Sequence, residues 1–469
     1  MNHLAISRVL SILGLWLAGL MLLNGCLAVA FSEFEEAALF AIGGVLIGFL
    51  GAMILLLTER PKRKSRAQDG LAVACLFWVL VPLVTQIPFW SYVGDLGPFS
   101  AYYEAVSNLT TTGHSLIDTE VSGLPASLLI WRAVLHFMGA LATITIAATV
   151  LAALNLGGPG IHRTRFFTIP ESSFFDTLPP LIRLCSSAMI AAIVVLTGLM
   201  LSLGVSPREA LSGAVSVITT GLVDPESYRT APSGGAAHGF ILAFGLILGA
   251  IGIFVFGVIA RQQYRKAITD AETVSLVGAV AFVALLAVLA GLPLLSSVGW
   301  SLSSVSTSGI ALSDPTRFDR IPLILLFFPV LIGGSALSAA GGVKLSRVFI
   351  LLRRVGLEFS QLGYRGSIQF FNFRGRRLSE QTILGVWVYL VGYIVATVVG
   401  VLILSITGSV LTDAMRITIG AITNSGHVMS STIETYTSAT QVCAILGMIL
   451  GRLEVISLVP VISLAFWRE

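Results

Sequence analysis

Four short stretches carry the residues best suited to handling an ion. They are Thr110-Thr111-Thr112-Gly113-His114, Ile218-Thr219-Thr220-Gly221, Ser306-Thr307-Ser308-Gly309 and Thr423-Asn424-Ser425-Gly426. A dehydrated cation needs about six to eight oxygens at a fixed radius, and backbone carbonyls from four loops can supply them. Glycine permits backbone angles that turn successive carbonyls inward, and it puts no side chain in the lumen. A short helix ending just before each turn would aim its negative end at the ion. The competing reading is that Ser/Thr-Gly pairs are ordinary packing residues of membrane helices. With 47 glycines in 469 residues, one such turn would mean little. Four at the same place within a repeat favour a filter. The candidate ion ligands are Thr111, Thr112 and Gly113; Thr219, Thr220 and Gly221; Thr307, Ser308 and Gly309; and Asn424, Ser425 and Gly426.

Two further features could control such a filter. Arg452 lies near the middle of a long apolar stretch. A charge there costs on the order of 3 kcal/mol unless it faces water or a partner. It either lines an ion path or pairs with an acid such as Glu454. The segment Gly333-Gly334-Ser335-Ala336-Leu337-Ser338-Ala339-Ala340-Gly341-Gly342-Val343-Lys344 interrupts another long stretch with small residues. Such residues let a helix break and a loop fill a cavity, or else let helices pack tightly. Lys344 does not complete a phosphate loop. Trp131-Arg132 and His136 sit near the outer end of a third stretch, where Arg132 could reach the interface or pair with Glu104 as a brace for the first turn. Cys26, Cys75, Cys185 and Cys443 lie in separate apolar segments without metal spacing. No nucleophile–base spacing and no His/Cys cluster suggests an enzyme.

These residues need a membrane scaffold. The chain is 55% hydrophobic and 11% charged, where a soluble protein carries about 25% charge. The pattern predicts an all-α integral membrane protein. Runs 9–31 and 37–57 form a first helix pair around the acidic turn Ser32-Glu33-Phe34-Glu35-Glu36, and the basic stretch 58–69 follows. From Gly70 one order repeats four times: long apolar run, short run, Thr/Ser-Gly turn, long apolar run. If each short run re-enters without crossing, ten helices span and the basic loops stay on the cytoplasmic side. That bias places Arg60, Arg63, Arg163, Arg261, Arg365 and Arg468 inside. Expected units are the helix pair with its basic loop (1–69) and four pore repeats: 70–160, 161–265, 266–360 (holding the loop 333–342) and 361–469. The polar segment 356–377 offers a cytoplasmic surface for a soluble partner or anionic lipid.

The four turns, Trp131-Arg132 and Gly451-Arg452-Leu453-Glu454…Phe466-Trp467-Arg468 resemble the TrkH/KtrB/HKT superfamily of potassium transporters, most like its bacterial TrkH type. The resemblance covers essentially the whole chain, including the first helix pair. It implies four pseudo-repeats of helix, re-entrant pore loop and helix around one pore, with K+ as the transported ion. It implies that 333–342 is an intramembrane gating loop, with Gly333, Gly334, Gly341, Gly342, Lys344 and Arg452 forming the gate. It further implies a multi-pass protein of the bacterial inner membrane, working as a homodimer on a TrkA-like cytoplasmic nucleotide-binding regulatory subunit. No nucleic acid is expected as a partner. The alternative is an ion-coupled secondary transporter holding its cation near the midplane. Departures from the family pattern are Gly426-His427-Val428 where Gly-Pro-Gly is usual, His114 after the first turn, and Ala140 after Gly139. With repeats one and four as neighbours, His114 and His427 would either share one side of the outer mouth, where their protonation would repel K+, or point away and hydrogen-bond the backs of the pore helices.

Overall fold

The computed structural model describes residues 2–58, 65–117, 123–151, 175, 178–252, 262, 265, 269–314, 321–363, 372–373, 376–377, 380–429 and 432–462. Counting helices of ten residues or more, the order opens with α1 (His3–Ala30), α2 (Phe34–Leu57), α3 (Ala67–Thr85), α4 (Ser100–Leu109) and α5 (Ala126–Ile146). It continues with α6 (Leu178–Ser202), α7 (Pro207–Thr219), α8 (Gly235–Ala250), α9 (Ala271–Leu289), α10 (Leu294–Val305) and α11 (Leu323–Ile332). It closes with α12 (Leu345–Gly363), α13 (Glu380–Ile406), α14 (Leu411–Ile422) and α15 (Ser438–Ile462). A two-residue strand pair, Asn372–Phe373 with Arg376–Arg377, is the exception to the helical rule. Among the described residues, seven helices are long and apolar enough to cross a membrane. The basic residues at 60–64, 163, 165, 261, 266, 365, 374 and 468 lie outside the described residues, as do the expected unit boundary at 160–161 and the terminal Phe466-Trp467-Arg468.

The helices start where local chemistry lets them. Asn2 caps α1 through Ala5 N–H (3.1 Å), and Asp270 caps α9 through Glu272 N–H (3.1 Å). Pro207 opens α7, and Ser206 accepts from Glu209 N–H. Asp413 sits in the first turn of α14. Pro82 lies inside α3, and Pro329 inside α11, four residues before that helix stops at Gly333. The segment 356–377, expected as a polar loop, begins as helix: α12 extends to Gly363. Its amphipathic pattern, with Arg353, Arg354 and Glu358 among Leu351, Leu352 and Phe359, suffices to continue the helix.

Each short helix packs against both of its long neighbours: α4 with α3 and α5, α7 with α6 and α8, α10 with α9 and α11, α14 with α13 and α15. Each closing helix also touches a short helix of another group. The pairs are α5 with α7, α8 with α10, α11 with α14 and α15 with α4. The chain therefore closes a ring in sequence order. Burial of apolar side chains is concentrated around this ring; the outer faces of α2, α6 and α13 expose Leu, Ile and Val throughout. That inversion is what a lipid-facing surface requires.

The first helix pair is joined to this ring by polar contacts. Glu33, in the acidic turn, accepts from Ala126 N–H (2.8 Å) and Ser127 N–H (3.0 Å), capping α5. Asn24 donates to Ser127 O (3.0 Å), and Trp131 meets Phe40 edge-on at 5.5 Å.

Candidate functional site

The four Ser/Thr-Gly turns follow α4, α7, α10 and α14 directly and are buried. One backbone feature recurs in all of them. Thr111, Thr220, Thr307 and Asn424 each adopt the left-handed conformation, with φ of 53°, 53°, 60° and 51°. A side-chain-bearing residue pays about 1–2 kcal/mol for this, so its recurrence marks a shared local design. The chain reverses sharply there. The next residue's N–H then bonds back five positions: Thr112 to Ser107 O (2.9 Å), Gly221 to Ser216 O (3.0 Å), Ser308 to Ser303 O (3.1 Å) and Ser425 to Gly420 O (2.8 Å).

This ladder fixes the register of the turns, and in one place it differs from the match of the Thr/Ser-Gly strings. Gly113, Gly309 and Gly426 occupy the second position after the left-handed residue; Gly221 occupies the first. Leu222 therefore stands at the level of the three glycines. Side-chain bonds seven residues apart agree: Ser107 Oγ donates to His114 O (2.6 Å), Ser303 Oγ to Ile310 O (2.8 Å), and Val223 N donates to Ser216 Oγ (3.1 Å). Matching the Thr/Ser-Gly strings pairs Gly221 with the wrong residue, because the second turn reaches its glycine one step early. The signal that could have found it is the serine seven residues before Val223.

The turns touch one another. A β-carbon on Gly113 would lie 2.6 Å from Leu222 N and 2.7 Å from Leu222 Cβ. On Gly221 it would lie 2.7 Å from the His136 ring. Gly426 N donates to Thr112 O (3.0 Å), and the His427 ring lies against Gly309. Ala311 N donates to Ser227 O (2.9 Å), joining the segments that follow the second and third turns.

Arg132 braces the first two turns from behind, as one reading of the sequence had it. Its fork donates to Glu104 (2.9 Å), Gly113 O (3.2 Å) and Val223 O (2.7 Å), and the pair is fully buried. Glu104 also accepts from Ser115 Oγ (2.9 Å) and Leu116 N (2.5 Å). The rings of His114 and His427 have different partners. The nitrogens of His114 meet Tyr103 OH (2.7 Å) and Tyr436 OH (3.2 Å), while His427 packs on the third turn.

At the inner ends of the turns sit Arg452 and the segment 333–344. Its neck is closed by Val343 N to Leu331 O (2.9 Å), Lys344 N to Ile332 O (3.0 Å) and Leu345 N to Gly334 O (2.9 Å). Gly333 and Gly342 allow this closure: each has φ above 70°, and a side chain on either would strike the other strand of the neck. Lys344 Nζ donates to Ser338 O (3.2 Å) and to Ala340 O, tying the tip back to the neck. Gly341 N donates to Thr307 Oγ1 (2.9 Å), and Gly341 lies against Thr423 O. Gly334 packs on Ala340 and Ser338. Ser335 bonds Ala250 O through its N–H (3.1 Å) and Glu272 through its hydroxyl.

Arg452 is buried and links three partners. Nε donates to Thr110 O (2.7 Å), while the two terminal nitrogens donate to Ala339 O and Thr111 Oγ1. Among the described residues no carboxylate pairs with it; the side chain of Glu454 lies outside them. Thr110 and Ala339 lie in stretches the sequence marks, but residue type does not reveal that their carbonyls accept from Arg452, and Glu272 is not marked at all.

The family profile TrkH, described as a cation transport protein, matches residues 37–168 and 297–465. The Trk system potassium uptake protein TrkH of Salmonella typhimurium is 24% identical, with 100% of both chains covered. The Trk system potassium uptake protein TrkG of Escherichia coli K12 is 25% identical, covering 97% of this chain and 96% of the relative. The crystal structure of the potassium transporter TrkH from Vibrio parahaemolyticus superposes with a TM-score of 0.86 at 23% identity, covering 100% of both chains. At that identity the likeness shows a common fold.

Proposed function

The chain belongs to the TrkH family of cation transport proteins, and from that premise we propose that it conducts K+ into the cell through a filter built from its four turns. The carrying observation is the recurrence of one left-handed turn at Thr111, Thr220, Thr307 and Asn424, each at the end of a short helix in the ring. Four helix ends directed at one axis favour a cation there. Non-helical backbone at membrane depth is tolerated where it lines a water-filled path. This supports four pseudo-repeats, each with a pore loop that re-enters the membrane, plus the extra helix pair. Thr111, Thr112, Gly113, Thr219, Thr220, Gly221, Thr307, Ser308, Gly309, Asn424, Ser425 and Gly426 then line or shape the ion path.

In this reading the segment 333–342 and Arg452 are the gate, with Gly333, Gly334, Gly341, Gly342 and Lys344 shaping the loop. The loop tip is held to the first turn through Arg452 and to the third through Thr307. A guanidinium on a path lined by oxygens repels K+ and occupies acceptors that K+ would use. Opening requires the loop and Arg452 to leave together. The protein is a transporter rather than an enzyme, set in the bacterial inner membrane. Its control comes from a homodimer contact and a TrkA-like cytoplasmic nucleotide-binding subunit, since the chain itself has no dinucleotide fingerprint.

The test is Rb+ flux into vesicles holding the purified chain, with Na+ and proton gradients varied. A reversal potential that follows the K+ gradient alone supports a pore. Flux that demands a second ion's gradient replaces the pore with a coupled carrier.

A further inference from the structure

We infer that Leu222 sets the ion preference of this protein, making it more tolerant of Na+ than the same pore with glycine at that position. The inference rests on the reading of the four turns as a filter. Leu222 stands at the level that Gly113, Gly309 and Gly426 hold in the other turns, by the hydrogen-bond register.

At that level Gly113 and Gly309 have φ of 76° and 77°. Leu222 is not among the residues with positive φ, and the β-carbon explains why: that region crowds it against the following carbonyl. The second turn therefore takes a different backbone path where the first and third repeat one another. Gly426 also lies outside the positive region, but as glycine it keeps access to it. Leu222 enters it only at a steric cost.

The effect acts through the backbone. The Leu222 side chain is buried in an apolar cluster that includes Leu302, Ile310 and Ala140. Its peptide is pressed onto the first turn, with Leu222 N 2.6 Å from where a Gly113 β-carbon would stand. Preference for K+ over Na+ depends on how many carbonyl dipoles surround the ion and at what radius. A level at which two turns hold these angles, a third can enter them freely and the second turn only at a steric cost offers K+ an incomplete cage. The smaller Na+, satisfied by fewer oxygens, loses less there.

The experiment is Rb+ uptake by the full-length chain in cells lacking their own K+ uptake systems, with Na+ as competitor. Leu222→Gly is expected to raise the Na+ concentration needed for half-inhibition by about fivefold to tenfold. Asparagine enters the left-handed region at lower cost than other side chains, so Leu222→Asn is expected to gain an intermediate amount and Leu222→Ala the least. Leu196→Ala, which opens a cavity in the same cluster from α6, controls for lost packing and is expected to match the parent. Membrane protein levels are measured alongside. If Leu222→Gly does not accumulate, the order of Asn over Ala carries the test. Sensitivity to Na+ that is unchanged in Leu222→Gly, or that follows side-chain volume instead of backbone freedom, overturns the inference. Gly309→Ala separates it from its premise: if that variant also leaves Na+ competition unchanged, the filter reading itself has failed.

Discussion

At the scale of single residues, Arg452 and Gly113 carry the sharpest expectations. A K+ ion about 6 Å from a guanidinium is repelled by roughly 3 kcal/mol at an effective dielectric of 20. Arg452→Ala removes that barrier and also unties Ala339 from Thr110 and Thr111. Greater Rb+ flux is expected, with leak from vesicles that lack any cytoplasmic partner. Unchanged flux in a destabilised protein would make Arg452 a structural strut. For Gly113→Ser, sequence reasoning expects lower K+ selectivity with the fold retained. The geometry is less forgiving: the new β-carbon would meet backbone atoms of Leu222 and must hold a φ of 76°. The variant is expected to lose about 1–3 kcal/mol of stability as well as selectivity, read as a lower melting temperature in detergent beside the ion competition assay.

At the scale of elements, close approach of backbones decides where glycine is required. A methyl group on Gly139 of α5 would overlap Leu109 O at the end of α4, and one on Gly451 of α15 would overlap Ile422 O at the end of α14. The second glycine expected beside Gly139 is Ala140, and it is fully buried without conflict. The loop 333–344 is held to the ring by individual hydrogen bonds, and a net bond is worth about 0.5–1.5 kcal/mol. Thr307→Val keeps the shape of the side chain but removes the acceptor of Gly341 N–H. Leak through the resting protein is expected to rise severalfold, while Thr307→Ser restores the parent value. Equal leak in the valine variant and the parent would show that this contact does not hold the loop.

At the scale of the whole molecule, the ring of alternating short and long helices is what brings residues more than 300 positions apart into contact, as Arg452 and Thr110 are. The first helix pair stands outside that ring and is fastened to it by Glu33 on the two free N–H groups at the start of α5. A carboxylate on helix N–H groups forms charge-assisted bonds. Glu33→Gln is expected to cost about 1–2 kcal/mol of stability, seen as earlier thermal unfolding, with Rb+ uptake per folded molecule unchanged. A change in ion selectivity in this variant would instead give the helix pair a part in conduction.

Much of this was legible in the chain itself. Long apolar runs, four short runs and a charge-poor composition dictate membrane helices, because backbone groups in lipid must satisfy one another within the segment. The polar turns show against that background, and so does Arg452, because a charge is costly there. The pairing of Arg132 with Glu104 was also readable, since a buried charge needs an opposite one nearby. The level of each turn residue was not. Gly113 and Gly221 look alike in sequence, yet backbone bonding sets them one position apart and puts Leu222 in place of a glycine. Residue type could not foretell where the His114 ring turns, since Tyr103 comes to it from α4 and Tyr436 from the segment before α15. Nor could it reveal that Ala339 accepts from Arg452, because any residue's carbonyl could do so. Composition and periodicity govern which segments leave water and which turn; register and partner depend on distances between backbones, which only the packed helices decide.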